Sequence, residues 1–296
     1  MEFLETWLKA VHDKNSVLCA GLDPAVLGMD RPGEEIPEGV SKRDWALRYV
    51  EAVAPFAAAL KPNMNYWKGP RDMDTLKEVT DLACDKGLVI IEDAKLADIG
   101  STNDAGLFYA AARADAVTLA PYAGNMAEAA KQAQKRGIGL ITMVLMSNPE
   151  YAGEKGKLMP LRAYASDLGE VTATFQQNGD DVVWVHDEPY ARQFMFLAQQ
   201  AKAQGLDGIV IGAPSKKNHI TDEEIGKVRG YVGDKMLVLL PGVGAQGGEA
   251  GAIWKHFAPD RVIVNVGRAL MFPESGDQAA TAAHYQKMLN ELRGAA

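Results

Sequence analysis

The chain lacks most of what would place it at once. Cysteine is nearly absent: Cys19 and Cys84 are the only two in 296 residues, too few for a disulfide framework and without the paired spacing of a zinc site. Positive charge is in deficit, with 31 lysines and arginines against 39 acids and a net charge of −8. A nucleic-acid surface carries a basic face or stripe, so no nucleic-acid partner is expected. No apolar run approaches the roughly 18 residues of a membrane span, so no membrane is expected either. The opening MEFLETWLKAVHDKNS carries acids and has no basic start followed by a long apolar stretch. It reads as an ordinary first helix rather than an export signal. His12, His186, His219, His256 and His284 show neither H-x-x-x-H nor carboxylate spacing, and no metal is predicted. His186-Asp187-Glu188 reads as an exposed polar turn. Together these absences predict a soluble, cytoplasmic protein. They also set a condition: an anionic substrate would need a locally positive pocket, because the global field repels it.

What the chain has is a recurring apolar, β-branched run. VLCAGLD starts at Val17, ALKPNMN at Ala59, LVIIEDAK at Leu88 and AVTLAPY at Ala116. GLITMVLMS follows at Gly139, GIVIGAP at Gly208, MLVLLPGVGAQ at Met236 and RVIVNVGRAL at Arg261, eight runs in all. Most are roughly 25 to 30 residues apart, room for a strand, a loop and a helix. AEAAKQAQKRG and FMFLAQQAKAQG lie between them and end in glycine after a basic or polar last turn, a helix stop. Eight such units predict an α/β protein, a single-domain (β/α)8 TIM barrel over residues 1–296, with a doubly wound open sheet as the rival on pattern alone. Two stretches break the rhythm. DRPGEEIPEG in the first gap reads as a surface loop, and the fifth gap is about double length. The latter, about residues 150–204, includes the strand-like VVWVHDEPY and is predicted to be an insertion between barrel strands five and six.

In a barrel the functional face lies at the carboxyl ends of the strands. Asp23 closes the first run, Lys61 sits in the second, Asp93 and Lys95 finish the third, Ser147 follows the fifth, Gln246 the seventh and Gly267-Arg268 the eighth. Strand alternation puts Asp93 and Lys95 on one side, and Asp98 lies just beyond. With Lys61 they form an alternating set, Lys61–Asp93–Lys95–Asp98, whose charges nearly cancel and can share a partly buried place. Any one of the four read alone would be a solvated side chain. Such a cluster can supply a proton or hold a carboxylate under strain.

PGVGAQGG contains G-x-G-x-x-G at Gly242, Gly244 and Gly247, which resembles a dinucleotide fingerprint. It falls in the seventh unit, follows Pro241, and has no ribose-binding acid about 20 residues on. The alternative is a phosphate site formed by the loops after strands seven and eight, with Gly267 allowing close approach and Arg268 gripping oxygens bidentately. Ser147 lacks a G-x-S-x-G setting, so a nucleophilic serine is not predicted.

DAKLADIGST fits the pattern D-x-K-x-x-D-I-x-x-T, and GLD and LKPN before it and MSNP, PGVGAQGG and VGRAL after it fall one per expected strand. In these blocks the chain resembles the orotidine 5'-monophosphate decarboxylase family over most of Val17 to Met271; the resemblance fades over Tyr151 to Gln204. The resemblance implies conversion of orotidine 5'-monophosphate to UMP without metal or cofactor. It implies that Asp23 binds the ribose, that Lys61 and Asp93 hold the charge network, and that Lys95 protonates C6. Asp98, Ile99 and Thr102 would reach into the site of the other subunit of a homodimer. Ser147 would read the pyrimidine edge, Gln246, Gly267 and Arg268 would hold the phosphate with Pro241 lining the pocket, and the seventh loop would close over it. Sugar-phosphate decarboxylases and aldolases that use Mg²⁺ share D-x-K-x-x-D, but they place a metal-binding glutamate on the second strand, where this chain has Lys61. A UMP-binding barrel without catalysis is the rival from another class.

Overall fold

The computed structural model describes residues 2–31, 33–164, 175, 181–216, 218–244 and 249–294. Eight strands form a closed parallel barrel: β1 (Leu18–Leu22), β2 (Ala59–Pro62), β3 (Val89–Leu96), β4 (Ala116–Leu119), β5 (Gly139–Leu145), β9 (Gly208–Ile211), β10 (Leu237–Pro241) and β11 (Val262–Val266). They follow chain order around the ring, and β11 pairs with β1 to close it. All eight predicted runs are barrel strands. β1, β2, β4, β5 and β9 are buried along their whole length, as a sheet covered on both faces requires. An open doubly wound sheet is therefore excluded.

The crossovers begin and end where local chemistry dictates. Ser41 caps α2 (Lys42–Val53) by accepting from the Asp44 N–H. α3 (Asp72–Asp85) and α4 (Gly100–Ala110) follow β2 and β3. α5 (Met126–Arg136) stops at Gly137, whose φ of 65° is open to glycine at little cost. In the seventh crossover, Gly251–Lys255 is a 3₁₀ helix.

The amino end of the barrel is plugged by α1 (Phe3–Lys14). Trp7 is fully buried and donates to the Asp260 carbonyl at 2.8 Å. The Phe3 ring lies where a side chain at Gly139 would be, 2.5 Å from the place of a Cβ.

The long fifth gap is an insertion, as its length predicts. After α6 (Tyr151–Lys155) come β6 (Leu158–Pro160), β7 (Val182–Val185) and β8 (Glu188–Arg192), which pair antiparallel in the order β6-β8-β7. VVWVHDEPY is thus two strands and a turn. His186 and Asp187, with φ of 47° and 63°, form a tight connection of the kind that hairpins require. α7 (Gln193–Ala203) then returns the chain to β9.

Candidate active site

Three charged side chains converge at the carboxyl ends of β2 and β3. The Lys61 ammonium lies 2.5 Å from one oxygen of Asp93, and the Lys95 ammonium lies 2.5 Å from the other. Lys61 and Asp93 are buried, at 5% and 8% exposure, whereas Lys95 reaches toward solvent. The carboxylate is therefore a bridge between two cations. Burial alone would raise the Asp93 pKa, but Lys61 and then Lys95 outweigh it and hold the carboxyl well below its usual range. Burial likewise opposes the charge on Lys61, yet Asp93 and Asp23 keep its ammonium protonated to higher pH than a free lysine. Cys19 lies within the field of this pair; its burial pushes the thiol up to about 12, so it adds no third charge.

The backbone departs here from simple strand alternation. The register of β3 against β4 shifts between Glu92 and Leu96, and Lys95 adopts φ of 47°. A left-handed lysine is uncommon and costs on the order of 1–3 kcal/mol. Thr118 on β4 holds it: the Lys95 N–H donates to the Thr118 hydroxyl at 2.9 Å, and that hydroxyl donates to Asp93 at 3.1 Å. Bulges are enriched beside active sites because they re-aim a side chain.

Two adjoining recesses open from the cluster and share Lys61, Asp93, Lys95 and Pro241. One is lined further by Thr118, Met143, Met146 and Ser147. The other adds Asp23, Arg31, Asn63, Asn265, Gly267 and Arg268. The two surroundings differ in kind. The first is mostly apolar with Ser147 at its edge, and the second is polar and rich in cations.

In the second recess, one carboxylate oxygen of Asp23 and the side-chain oxygen of Asn265 are buried and accept no hydrogen bond among the described residues. Gly21 and Gly267 let β1 and the segment after β11 approach, since a Cβ at Gly21 would sit 2.8 Å from the Gly267 Cα. Gly242 and Gly244 after β10 both have positive φ, 95° and 85°. The Gly242 end of the G-x-G-x-x-G stretch therefore turns into this same recess.

Of the predicted site residues, Asp23, Lys61, Asp93, Lys95, Ser147, Pro241, Gly267 and Arg268 line one recess or both. Gln246 lies outside the described residues. Asp98, Ile99 and Thr102 stand apart, exposed at the start of α4. The Asp98 carboxylate accepts from the Ile99 N–H at 2.8 Å, and its carbonyl accepts from Asn125 at 2.8 Å. Within one chain the compact cluster is Lys61–Asp93–Lys95. Sequence reasoning missed Thr118, Asn63, Asn265 and Arg31. Asn63 and Asn265 carried a signal, each being an asparagine in or at the end of an apolar run; Thr118 passes for an ordinary β-branched strand residue, and Arg31 sat in a loop read as surface.

A closed parallel barrel with a Lys–Asp–Lys bridge, buried at Lys61 and Asp93, and a cation-rich recess at its carboxyl mouth is a barrel enzyme for an anionic substrate. The chain belongs to the orotidine 5'-phosphate decarboxylase / HUMPS family, whose sequence profile matches residues 16–285. It is 31% identical to the orotidine 5'-phosphate decarboxylase of Variovorax paradoxus over 100% of this chain and 98% of that one. To the enzyme of the same name from Polaromonas naphthalenivorans it is 32% identical, over 97% and 93%. Among solved structures, OMP decarboxylase from Leishmania donovani superposes with a TM-score of 0.71 at 21% identity, covering 100% of both chains. A Methanocaldococcus jannaschii orotidine 5'-monophosphate decarboxylase complexed with inhibitor BMP gives 0.63 at 22% identity, covering 92% of this chain and 98% of that one. At those identities the structural likeness establishes the fold.

Proposed function

We propose that this chain decarboxylates orotidine 5'-monophosphate to UMP and carbon dioxide in pyrimidine biosynthesis. The observation that carries the reading is the Asp93 carboxylate, held ionised between Lys61 and Lys95 at the edge of both recesses. A substrate carboxylate brought beside Asp93 would meet a fixed negative charge, and binding energy from the remote phosphate would hold it there. The C6–carboxylate bond then breaks, carbon dioxide leaves, and the electron pair stays on C6. The Lys95 ammonium stabilises that pair and transfers its proton to C6, and solvent restores the proton to the lysine. Arg268 and Gly267 would receive the phosphate, with Gln246. Asp23 would bind the ribose hydroxyls, for which its unpaired buried oxygen is a ready acceptor. Ser147 would meet the pyrimidine edge in the more apolar recess, and Pro241 would line both.

The same reading makes the active form a homodimer. Asp98, Ile99 and Thr102 are exposed and line neither recess of their own chain, as residues lent to a neighbour would. Ile99, Phe108 and Tyr109 of this region are each more than half exposed, an unusual concentration of large apolar groups at a surface. A cytoplasmic location suits the two free thiols. The magnesium-dependent alternative needs a carboxylate on the second strand, and here the Lys61 ammonium stands there, bonded to Asp93.

The test is the fall in orotate absorbance as orotidine 5'-monophosphate is consumed, run with and without EDTA. Equal turnover in both is expected. Turnover that EDTA abolishes would point to the metal-dependent reaction, and tight UMP binding without turnover would point to a binding barrel.

A further inference from the structure

We propose that Arg31 is a second anion-binding arginine of the cation-rich recess, and that Glu34 is an internal anion which occupies the Arg31–Arg268 pair until a substrate phosphate displaces it. Both residues come from the loop between β1 and α2, where the sequence suggests no more than a surface connection. The loop is tied back on itself: the Ile36 N–H donates to the Ala25 carbonyl at 2.8 Å, and Ile36 is buried. This anchoring carries Arg31 to the mouth of the barrel. Its guanidinium donates to the Tyr66 hydroxyl at 2.7 Å and lies over that ring, 5.8 Å from the centroid.

One oxygen of Glu34 then joins the two ends of the chain. It lies 3.1 Å from Arg31 Nε and 2.9 Å from Arg268 Nε. Two guanidinium groups bridged by a single acidic oxygen resemble a phosphate clamp with a carboxylate in it. The surrounding charge fits this description. Arg31, Lys61, Lys95 and Arg268 line the recess with only Asp23 and Asp93 to oppose them, so two positive charges stand uncompensated until Glu34 supplies one negative charge. A phosphate dianion would compensate both and offer several acceptor oxygens where Glu34 offers one. Glu34 is about a quarter exposed, at 27%, so its side chain can leave for water while the loop's own hydrogen bonds persist.

The identity of the phosphate rests on the decarboxylase reading, but the exchange itself does not. Titration calorimetry of the full chain with UMP, uridine and inorganic phosphate, on wild type, Glu34→Gln and Arg31→Gln, tests it. Glu34→Gln removes the competing charge and keeps the shape. It should tighten UMP and inorganic phosphate by roughly three- to ten-fold and leave uridine unchanged. Arg31→Gln should weaken the same two ligands by about ten-fold or more, again sparing uridine. Weaker or unchanged phosphate binding in Glu34→Gln would overturn the exchange and make Glu34 a brace that orients Arg268. Equal losses for UMP and uridine in Arg31→Gln would make Arg31 a structural residue of the loop. The two readings fail separately. If wild type turns over no orotidine 5'-monophosphate, the decarboxylase assignment falls, while the response to inorganic phosphate still reads the clamp.

Discussion

The two ends of the barrel use the same side chain in opposite ways. At the amino end, Asp115 and Asp207 stand just before β4 and β9. Asp115 accepts from the Ile90 N–H at 2.8 Å, and Asp207 accepts from the Leu140 N–H at 3.0 Å. Burial raises both pKa values, and the backbone hydrogen bonds offset this only in part. At the carboxyl end Asp93 is more deeply buried, yet its pKa is depressed, because two lysines oppose the burial. At the amino end a carboxylate ties neighbouring strands together through the backbone. At the carboxyl end it is kept ionised, and its partners among the described residues are the side chains of Lys61, Lys95 and Thr118. Register tells the same story. The shifts of β3 against β4 and of β5 against β9 both fall toward the carboxyl ends of the strands, where regular pairing gives way to side-chain placement.

That contrast can be broken, or sharpened, by mutation. The largest effect expected is on turnover. Lys95→Ala should slow decarboxylation by on the order of a thousand-fold or more, while UMP affinity stays within about ten-fold, because the ammonium acts mainly in the transition state. Parallel loss of both in steady-state kinetics and calorimetry would make Lys95 structural. Next comes stability, read as urea midpoints. Asp93→Ala leaves two ammonium groups without their counter-charge and should cost about 3–5 kcal/mol. Asp207→Ala should cost only about 1–3 kcal/mol, and turnover per folded molecule should not change. Comparable stability losses, or a turnover defect in Asp207→Ala, would erase the distinction between the ends. Gly21→Ala drives a Cβ against Gly267 and should destabilise by about 1–3 kcal/mol. The displaced Arg268 should also raise KM more than it lowers kcat.

The smallest effect is the most diagnostic, because it concerns sign. Asp93 has a folded pKa below its unfolded value, so its stabilisation is present above about pH 4 and is lost as pH falls through the folded pKa. Asp207 has a folded pKa above its unfolded value, so its contribution is most favourable in acid and declines as pH rises through the folded pKa. Stability differences between wild type and Asp93→Asn, and between wild type and Asp207→Asn, should therefore slope in opposite directions with pH. Denaturation from about pH 3 to about pH 7 measures both. Slopes of the same sign would refute the contrast.

The barrel was legible because its strands are buried on both faces, which leaves uninterrupted apolar runs at regular spacing. The Lys61–Asp93–Lys95 cluster was legible for a related reason: charge at the end of such a run is conspicuous. Thr118 escaped because a threonine within AVTL reads as an ordinary β-branched residue; its second role depends on the bulge at Lys95, and no alternation rule encodes a left-handed lysine. Arg31 and Glu34 escaped because their importance comes from a contact with Arg268 across nearly the whole chain. Asp98 showed the opposite problem. Its spacing from Lys95 suggested membership of one cluster, but within one chain its carboxylate accepts from the Ile99 N–H and it lines neither recess.

The seam between β1 and β11 has a consequence for synthesis. Asp23 follows the first barrel strand, and Gly267 and Arg268 follow the last, yet all three line one recess. A ribosome releases the earlier strands well before the final one, so no nascent chain shorter than Arg268 can offer a complete ligand site. Ligand binding then favours only the closed ring and adds its stabilisation at the point where the ring is joined. The nucleotide would thus act as a clasp on the finished barrel, absent during assembly and tightest once the two ends of the sheet have met.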